Sequence, residues 1–239
     1  MVELTDVSHG YGGQEVLTNL TIRFQENKIT AIIGKSGSGK STLLQLINGL
    51  LRPSKGQVSV FNQPLNYQQT TSLRLRMGYM VQGTGLFPHL TIAQNIAIAG
   101  KVLDNSKPGA RVNELMELVG LPSSYQPKYP YELSGGEQQR VGICRALYLN
   151  PPLLLMDEPM GALDPITRQD IQQEIMKLQR LAPRTMLLVT HDMREAKKLA
   201  DFILVLARGK VQQFDRASNV ISEPATQAVR DLINASIDS

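Results

Sequence analysis

Gly34-Lys35-Ser36-Gly37-Ser38-Gly39-Lys40-Ser41-Thr42 is the stretch that decides the fold. It follows an apolar run, Ile29 to Ile33, that reads as a strand, and it leads into a helix expected over Ser41 to Leu50. Glycines at 34, 37 and 39 let the backbone wrap closely around an anion, with successive N–H groups pointing inward. The helix behind the loop adds unpaired N-terminal donors and the positive end of its dipole. The stretch fits a nucleotide-phosphate loop, in which Lys40 reaches the β- and γ-phosphates and the Ser41 hydroxyl ligates Mg²⁺. A merely flexible Gly/Ser loop would seldom fall at a strand-to-helix junction.

Strands are expected on both sides of that junction. Val2 to Ser8 and Val16 to Phe24 are apolar and partly β-branched, set off by turns at Gly12-Gly13 and Glu26-Asn27. Val58 to Phe61 and Gly78 to Val81 read as further short strands. After Gln82 the texture changes. Thr91 and Gln94 form a capping box ahead of Ile92, Ile96 and Ala97. Val112, Leu115, Met116 and Val119 recur at helical spacing and mark a helix ending near Gly120. Residues 84–150 are therefore expected to form a helical insertion within one domain spanning 1–239.

Leu153 to Met156 and Thr185 to Val189 return to continuous apolar runs, which suit strands buried on both faces. Between them Ile171, Ile175, Leu178 and Leu181 line one side of a helix. A strand–helix–strand unit of this kind predicts an α/β fold with a parallel core sheet. Phe202 to Leu206 and Val211 to Phe214 add two strands around an Arg208-Gly209 turn. Residues 222–239 form a short helical tail with Val229, Leu232 and Ile233 on one side.

Composition narrows the classes. Five Phe, seven Tyr and no Trp predict an aliphatic core. No apolar run approaches the roughly 20 residues that span a bilayer, and MVELTDVSHG lacks the basic start and apolar stretch of a secretion signal. A cytoplasmic location is expected. The net charge of +4 is mild and spread along the chain, which argues against nucleic acid as a partner. Cys144 stands alone and reads as a small buried hydrophobe, and His9, His89 and His191 are too scattered for a metal site.

Further motifs carry chemistry. Leu153-Leu154-Leu155-Met156-Asp157-Glu158-Pro159 ends a buried strand with two carboxylates. Beside a phosphate loop, Asp157 is suited to hold Mg²⁺ and Glu158 to polarise an attacking water. His191 follows the next buried strand, where a neutral imidazole can sense a γ-phosphate, and Asp192 with Glu195 resembles a helix-start capping pair. In Leu133-Ser134-Gly135-Gly136-Glu137-Gln138-Gln139-Arg140, Ser134 is an N-cap and Glu137 closes its box, while Gly135-Gly136 allows an anion to approach. Composition alone does not dismiss an ordinary capped helix with no ligand.

In this order the motifs resemble those of the ATP-binding subunit of an ATP-binding cassette (ABC) transporter. The phosphate loop lies at 34–42, the signature at 133–140, the strand-end carboxylates at 157–158 and the switch histidine at 191. The resemblance runs from about residue 1 to 221. It implies a P-loop NTPase fold of the ABC type, with an N-terminal antiparallel β-subdomain and an inserted helical subdomain. It also implies ATP and Mg²⁺ as cofactors. Gly34, Ser36, Gly37, Ser38, Gly39, Lys40, Ser41 and Thr42 then hold phosphates. Tyr11 stacks on adenine, Gln82 stands at the junction with the helical subdomain beside Mg²⁺, and Asp164 lies in a loop crossing between subunits. Glu158, His191, Gln82 and Lys40 form the implied catalytic set. Two such subunits are implied to dimerise head to tail, each ATP lying between one subunit's phosphate loop and the partner's Ser134, Gly135 and Gly136.

Leu86-Phe87-Pro88-His89-Leu90-Thr91-Ile92 is similar to importer ATPases. Together with Gly78-Tyr79-Met80-Val81-Gln82 and Leu163-Asp164-Pro165-Ile166-Thr167-Arg168, it looks most like the group that takes up glycine betaine, choline or related quaternary amines. That resemblance implies permease subunits, an extracytoplasmic substrate-binding protein, and a place on the cytoplasmic face of the cell membrane. Systems for amino acids or polyamines, and for lipid transport or export, are the alternatives. Many members of the group carry a C-terminal regulatory pair of modules, and control of that kind is not expected here.

Overall fold

In the computed structural model, which describes residues 1–101, 108–161 and 163–236, the chain divides into two compact units. One joins Met1–Arg74 to Arg184–Ser239, and the other is Leu75–Pro183. The first part of the chain holds β1 (Val2–Tyr11), β2 (Gln14–Phe24), β3 (Ile29–Ile33), α1 (Lys40–Ile47), β4 (Lys55–Val60), β5 (Gln63–Pro64) and α2 (Thr70–Arg74). The middle holds β6 (Met77–Met80), α3 (Ile92–Lys101), α4 (Pro108–Leu118), α5 (Gly135–Leu147), β7 (Leu153–Asp157) and α6 (Pro165–Leu181). The last part holds β8 (Thr185–Thr190), α7 (Met193–Leu199), β9 (Phe202–Ala207), β10 (Lys210–Arg216), α8 (Ala217–Ser222) and α9 (Gln227–Ala235).

The first unit contains two kinds of sheet. In one, β1 pairs antiparallel with β2 and β4, and β4 with β5. The β1–β2 turn is Gly12-Gly13, with φ of 56° and 85° at its two residues. Two successive positive values match the right-handed twist of the flanking strands. They also let the ladder run on to Tyr11↔Gln14, past the expected end at Ser8. In the other, β3 lies between β8 and β9 and is parallel to both, with Ile29 opposite Met186 and Thr30 opposite Phe202. Every residue of β3 and β8 is buried, the condition under which a strand reads as an unbroken apolar run. β9 then turns through Arg208-Gly209 into antiparallel β10. Val229, fully buried, joins the core formed by Ala31, Ile33, Ile203 and Val205, and Leu232 and Ile233 pack at its edge.

The second unit has a short parallel pair, β6 and β7, and the helices around it. It extends beyond 84–150 on both sides, because it takes in β6, β7 and α6. Val112, Leu115, Met116 and Val119 are all buried along and just past α4. On α6 the apolar stripe holds for Ile171, Ile175 and Leu178, but Leu181 is 66% exposed. It occupies the last position of the helix, past the covered face. The short elements β5, α2 and α8 have no periodic signature in the sequence. Residues 102–107 of the expected insertion, Ala162 and residues 237–239 of the tail lie outside the described residues. Among the described residues no helix is long and apolar enough to cross a membrane.

Candidate functional site

The sequence-derived site residues fall into both units. Tyr11, residues 34–42 and His191 belong to the first; Gln82, Ser134, Gly135, Gly136, Asp157, Glu158 and Asp164 belong to the second.

Beyond β3 the chain presses against β9 so closely that a Cβ on Gly34 would lie 2.2 Å from the carbonyl oxygen of Leu206. Lys35, Ser36 and Gly37 are exposed, and the chain then turns inward through Ser38, Gly39 and Lys40. The Ser38 amide donates to the Lys35 carbonyl at 3.1 Å. Lys40 is only 6% exposed, and its ammonium donates to the carbonyls of Gly34 at 2.8 Å and Lys35 at 3.1 Å. A buried cation is costly unless its donors are met; here the loop meets them and fixes the charge within its own curve. Gly39 is the N-cap of α1, with φ of 100° and no side chain to cap the helix. Ser41 and Thr42 stand in its first turn, half-buried.

His191 is exposed just beyond β8, on a turn held from both sides. The Thr190 hydroxyl donates to the buried Glu195 carboxylate and accepts from the Asp192 amide at 3.1 Å. Asp192 caps α7 by accepting from the Arg194 amide at 2.8 Å, and also takes the Arg194 guanidinium. Asp192 is thus the cap, with Thr190 relaying its amide to Glu195. At the end of β1, Tyr11 is 49% exposed and meets the His9 ring in a T-shaped contact, centroids 4.9 Å apart.

In the second unit the register of the parallel pair places Met80 opposite Met156. Two residues further on, just past the two strand ends, are Gln82 and Glu158, and the Gln82 amide donates to the Glu158 carboxylate at 3.2 Å. Asp157 is 4% exposed at the end of β7. The neighbouring Tyr79 phenol is pushed up to about 12, by burial first and by the negative charge of Asp157 second. Glu158 has φ of 48°, a left-handed conformation that costs a residue with a Cβ on the order of 1 kcal/mol or more. The turn is secured by the Gly161 amide, which donates to the Glu158 carbonyl at 3.1 Å, and by the Gln139 side chain, which donates to the Pro159 carbonyl.

Helix α5 starts with a closed capping box. The Ser134 hydroxyl accepts from the Glu137 amide at 3.4 Å, and the Glu137 carboxylate accepts from the Ser134 amide and hydroxyl, each at 2.8 Å. The Ser134 amide is the main reason that the Glu137 carboxyl sits below its ordinary range. Gly136 lies against the start of α6, where a Cβ would come 2.3 Å from the Thr167 methyl. Asp164 caps α6, accepting from the Thr167 hydroxyl at 2.6 Å and from the amides of Thr167 and Ile166. Those bonds, the Thr167 hydroxyl foremost, hold its carboxyl below the usual value.

Sequence reasoning missed the Gln82–Glu158 contact, whose signal lay in aligning the two apolar runs that become β6 and β7. It also missed three side chains of α5 that hold the surroundings, Gln139, Arg140 and Arg145, for which the sequence carries no local signal.

A phosphate loop after a central parallel strand, carboxylates at the end of another and a capped Gly-Gly helix define an ATP-binding cassette. Residues 17–161 match the family model described as ABC transporter. The chain belongs to the ABC transporter family, as an ATP-binding, ATP-hydrolysing subunit. It is 43% identical over 238 residues to the glycine betaine uptake system ATP-binding protein YehX of Escherichia coli K12, covering 99% of this chain and 77% of that one. It is 42% identical to the choline transport ATP-binding protein OpuBA of Bacillus subtilis 168, covering 98% of this chain and 62% of that one. Among solved structures it resembles a dimeric ATP-binding cassette in a post-hydrolysis state bound to ADP and Pi. That match has a TM-score of 0.81 at 32% identity and covers 91% of this chain and 99% of the other.

Proposed function

We propose that this subunit hydrolyses ATP to drive uptake of an osmoprotectant, a quaternary amine such as glycine betaine or choline. It works as a head-to-tail homodimer on the cytoplasmic face of the cell membrane, beneath permease subunits served by an extracytoplasmic substrate-binding protein. The observation that carries the catalytic reading is the Gln82–Glu158 hydrogen bond, 3.2 Å long, at the ends of paired strands. It holds a carboxylate and an amide side by side, so that both can reach one water next to them.

In this reading Tyr11 stacks on adenine, and the 34–42 amides with Lys40 take the charge of the β- and γ-phosphates. Water attacks the γ-phosphorus, the bond to the β,γ-bridging oxygen breaks, and ADP leaves with its electron pair. Glu158 accepts the proton of the attacking water, Gln82 orients that carboxylate, and His191 reads the γ-phosphate. Ser134, Gly135 and Gly136 reach the ATP of the partner subunit, and Asp164 steadies the start of α6 at that boundary. Ser41, Gln82 and Asp157 all offer oxygen, the donor that Mg²⁺ takes, and Asp157 is a buried carboxylate of the kind that a hard cation favours. Bound Mg²⁺ supplies charge neutralisation on the phosphates.

The substrate follows from the likeness to the betaine and choline uptake proteins, and it is tested in the assembled transporter. Glycine betaine, choline, proline and a polyamine are titrated against reconstituted vesicles while ATPase activity and uptake are followed. Stimulation by a quaternary amine, with no response of the subunit alone, is the expected result. Uptake of the polyamine without any response to betaine or choline overturns the substrate and leaves the ATPase chemistry standing.

A further inference from the structure

We propose that Arg145 is a positioning residue for hydrolysis: from helix α5 it clamps the segment just beyond Gln82 and thereby sets where the Gln82 amide meets Glu158. The inference rests on the roles given above to Gln82 and Glu158, and extends them to a residue that those roles do not include.

The segment 81–85 has neither helix nor strand to hold it. Val81, Gln82, Gly83 and Gly85 are exposed, and Gly83 and Gly85 have φ of 75° and 54°. A chain with two left-handed glycines in three residues has high conformational freedom, so its place is set by what grips it from outside. Among the described residues, one side chain grips it from α5. The Arg145 guanidinium donates to the Gly85 carbonyl at 2.6 Å and to the Thr84 carbonyl at 3.2 Å. Its planar, rigid fork fixes the relative direction of the two donors, which the freely rotating ammonium of a lysine does not.

The segment lies against the same face of α5. Gly142 stands one turn before Arg145, and a Cβ there would lie 3.7 Å from the Thr84 carbonyl oxygen and 3.3 Å from the Met80 methyl. Gly85 is needed on the other side, because a Cβ on it would come within 2.4 Å of Val81 and 3.3 Å of Arg145. The backbone two and three residues after Gln82 is therefore laid on α5 at Gly142 and fastened at Arg145. At 3.2 Å the Gln82–Glu158 bond lies at the long limit of its kind, so a shift of a few tenths of an ångström breaks it. The other end of that bond is held by the same helix, since Gln139 takes the carbonyl of Pro159, next to Glu158. Helix α5, which begins with the signature, thus carries both partners of the bond.

The test is steady-state ATPase activity of the assembled transporter carrying Arg145→Ala, Arg145→Lys, Gln82→Ala, and Gln82→Ala combined with Arg145→Ala. Arg145→Ala should lower kcat by about tenfold, the scale of a small misplacement of a reacting group, with KM for ATP unchanged. Arg145→Lys keeps a cationic donor but loses the rigid fork and should recover part of the rate. The double variant should be no slower than Gln82→Ala alone, because the two residues act in series. A rise in KM at constant kcat, or additive losses in the double variant, overturns the inference while Gln82 keeps its role. Wild-type kcat in Gln82→Ala overturns both. Should Arg145→Ala fail to fold, the Arg145→Lys variant carries the same cycle against Gln82→Ala.

Discussion

Helices α1 and α5 both begin at glycine-rich turns, and they differ in what closes them. At α1 the N-cap is Gly39, which has no side chain to offer, the first turn contains no acidic residue, and Lys40 opens the helix. At α5 the N-cap is Ser134, the box is closed in both directions, and Glu137 brings a carboxylate to the first turn. An anion arriving at α1 meets amides, dipole and ammonium together. One arriving at α5 has to compete with Glu137 for the Ser134 hydroxyl, which already donates to that carboxylate at 2.8 Å. On the reading proposed above, the first is a phosphate site built within one chain. The second is a finished helix start, and the role proposed for Ser134 on a partner's ATP requires its hydroxyl to turn away from Glu137.

The largest expected effects separate binding at α1 from chemistry elsewhere. Lys40→Ala removes the ammonium fastened over the loop and should abolish measurable nucleotide binding, hydrolysis falling with it. Glu158→Gln keeps volume and hydrogen bonding but cannot take the proton of the attacking water. Hydrolysis should fall on the order of 10²-fold or more while ATP binding persists and a nucleotide-trapped dimer accumulates. Equilibrium nucleotide binding and single-turnover hydrolysis on both variants make the distinction. Equal loss of binding in the two would erase the contrast between a binding loop and a chemical carboxylate.

The same contrast explains what could be read from the sequence. Around the loop the Lys40 contacts span only five and six residues, so motif and site coincide in the chain. Elsewhere the contacts are distant: Gln82 to Glu158 spans 76 residues and Arg145 to Gly85 spans 60. Periodicity finds buried strands, and caps find helix starts. Neither says which strand lies beside which, or which arginine folds over which loop. The relay from Asp192 through Thr190 to Glu195 escaped for a similar reason, because an S/T/D-x-x-E pattern fits both a direct return and one passed through a neighbouring hydroxyl. Leu181 differs from the expectation because helical spacing marks a face and not its length, and the buried stripe ends one turn earlier at Leu178.

A smaller effect probes how α5 is anchored farther along. Arg140 lies 3.2 Å from one oxygen of Glu174 and 3.3 Å from Asp170, while the other Glu174 oxygen is buried without a hydrogen-bond partner among the described residues. Burial, opposed by Arg140 and aided by Asp170, pushes the Glu174 carboxyl up from 4.5 to about 7. Between those values the folded chain holds a proton that the unfolded chain has released, so this group's contribution to stability falls as pH rises from about 4.5 to about 7. Glu174→Gln should remove that slope. Denaturant unfolding of both proteins across this range tests it, and parallel stability curves would sink the assignment.

The smallest effect tests the comparison at its starting point. Ser134→Ala removes the hydroxyl that accepts the Glu137 amide and donates to its carboxylate. The Ser134 amide still donates to Glu137 at 2.8 Å, so half of the box survives. The Glu137 amide contact that is lost is long, at 3.4 Å. The cost should therefore lie at the low end for a cap, about 0.5–1 kcal/mol, and Ser134→Gly should cost only a few tenths of a kcal/mol. Urea unfolding of the subunit measures this structural part. The ligand part is read separately: in the Glu158→Gln background, Ser134→Ala should weaken the ATP-dependent increase in mass, because the hydroxyl would be missing from the partner's γ-phosphate. Loss of stability with an intact trapped dimer would make Ser134 a cap and nothing more. Loss of the dimer with little change in stability would mean that the capping box is held by the Glu137 carboxylate and the Ser134 amide, leaving the hydroxyl to serve the nucleotide.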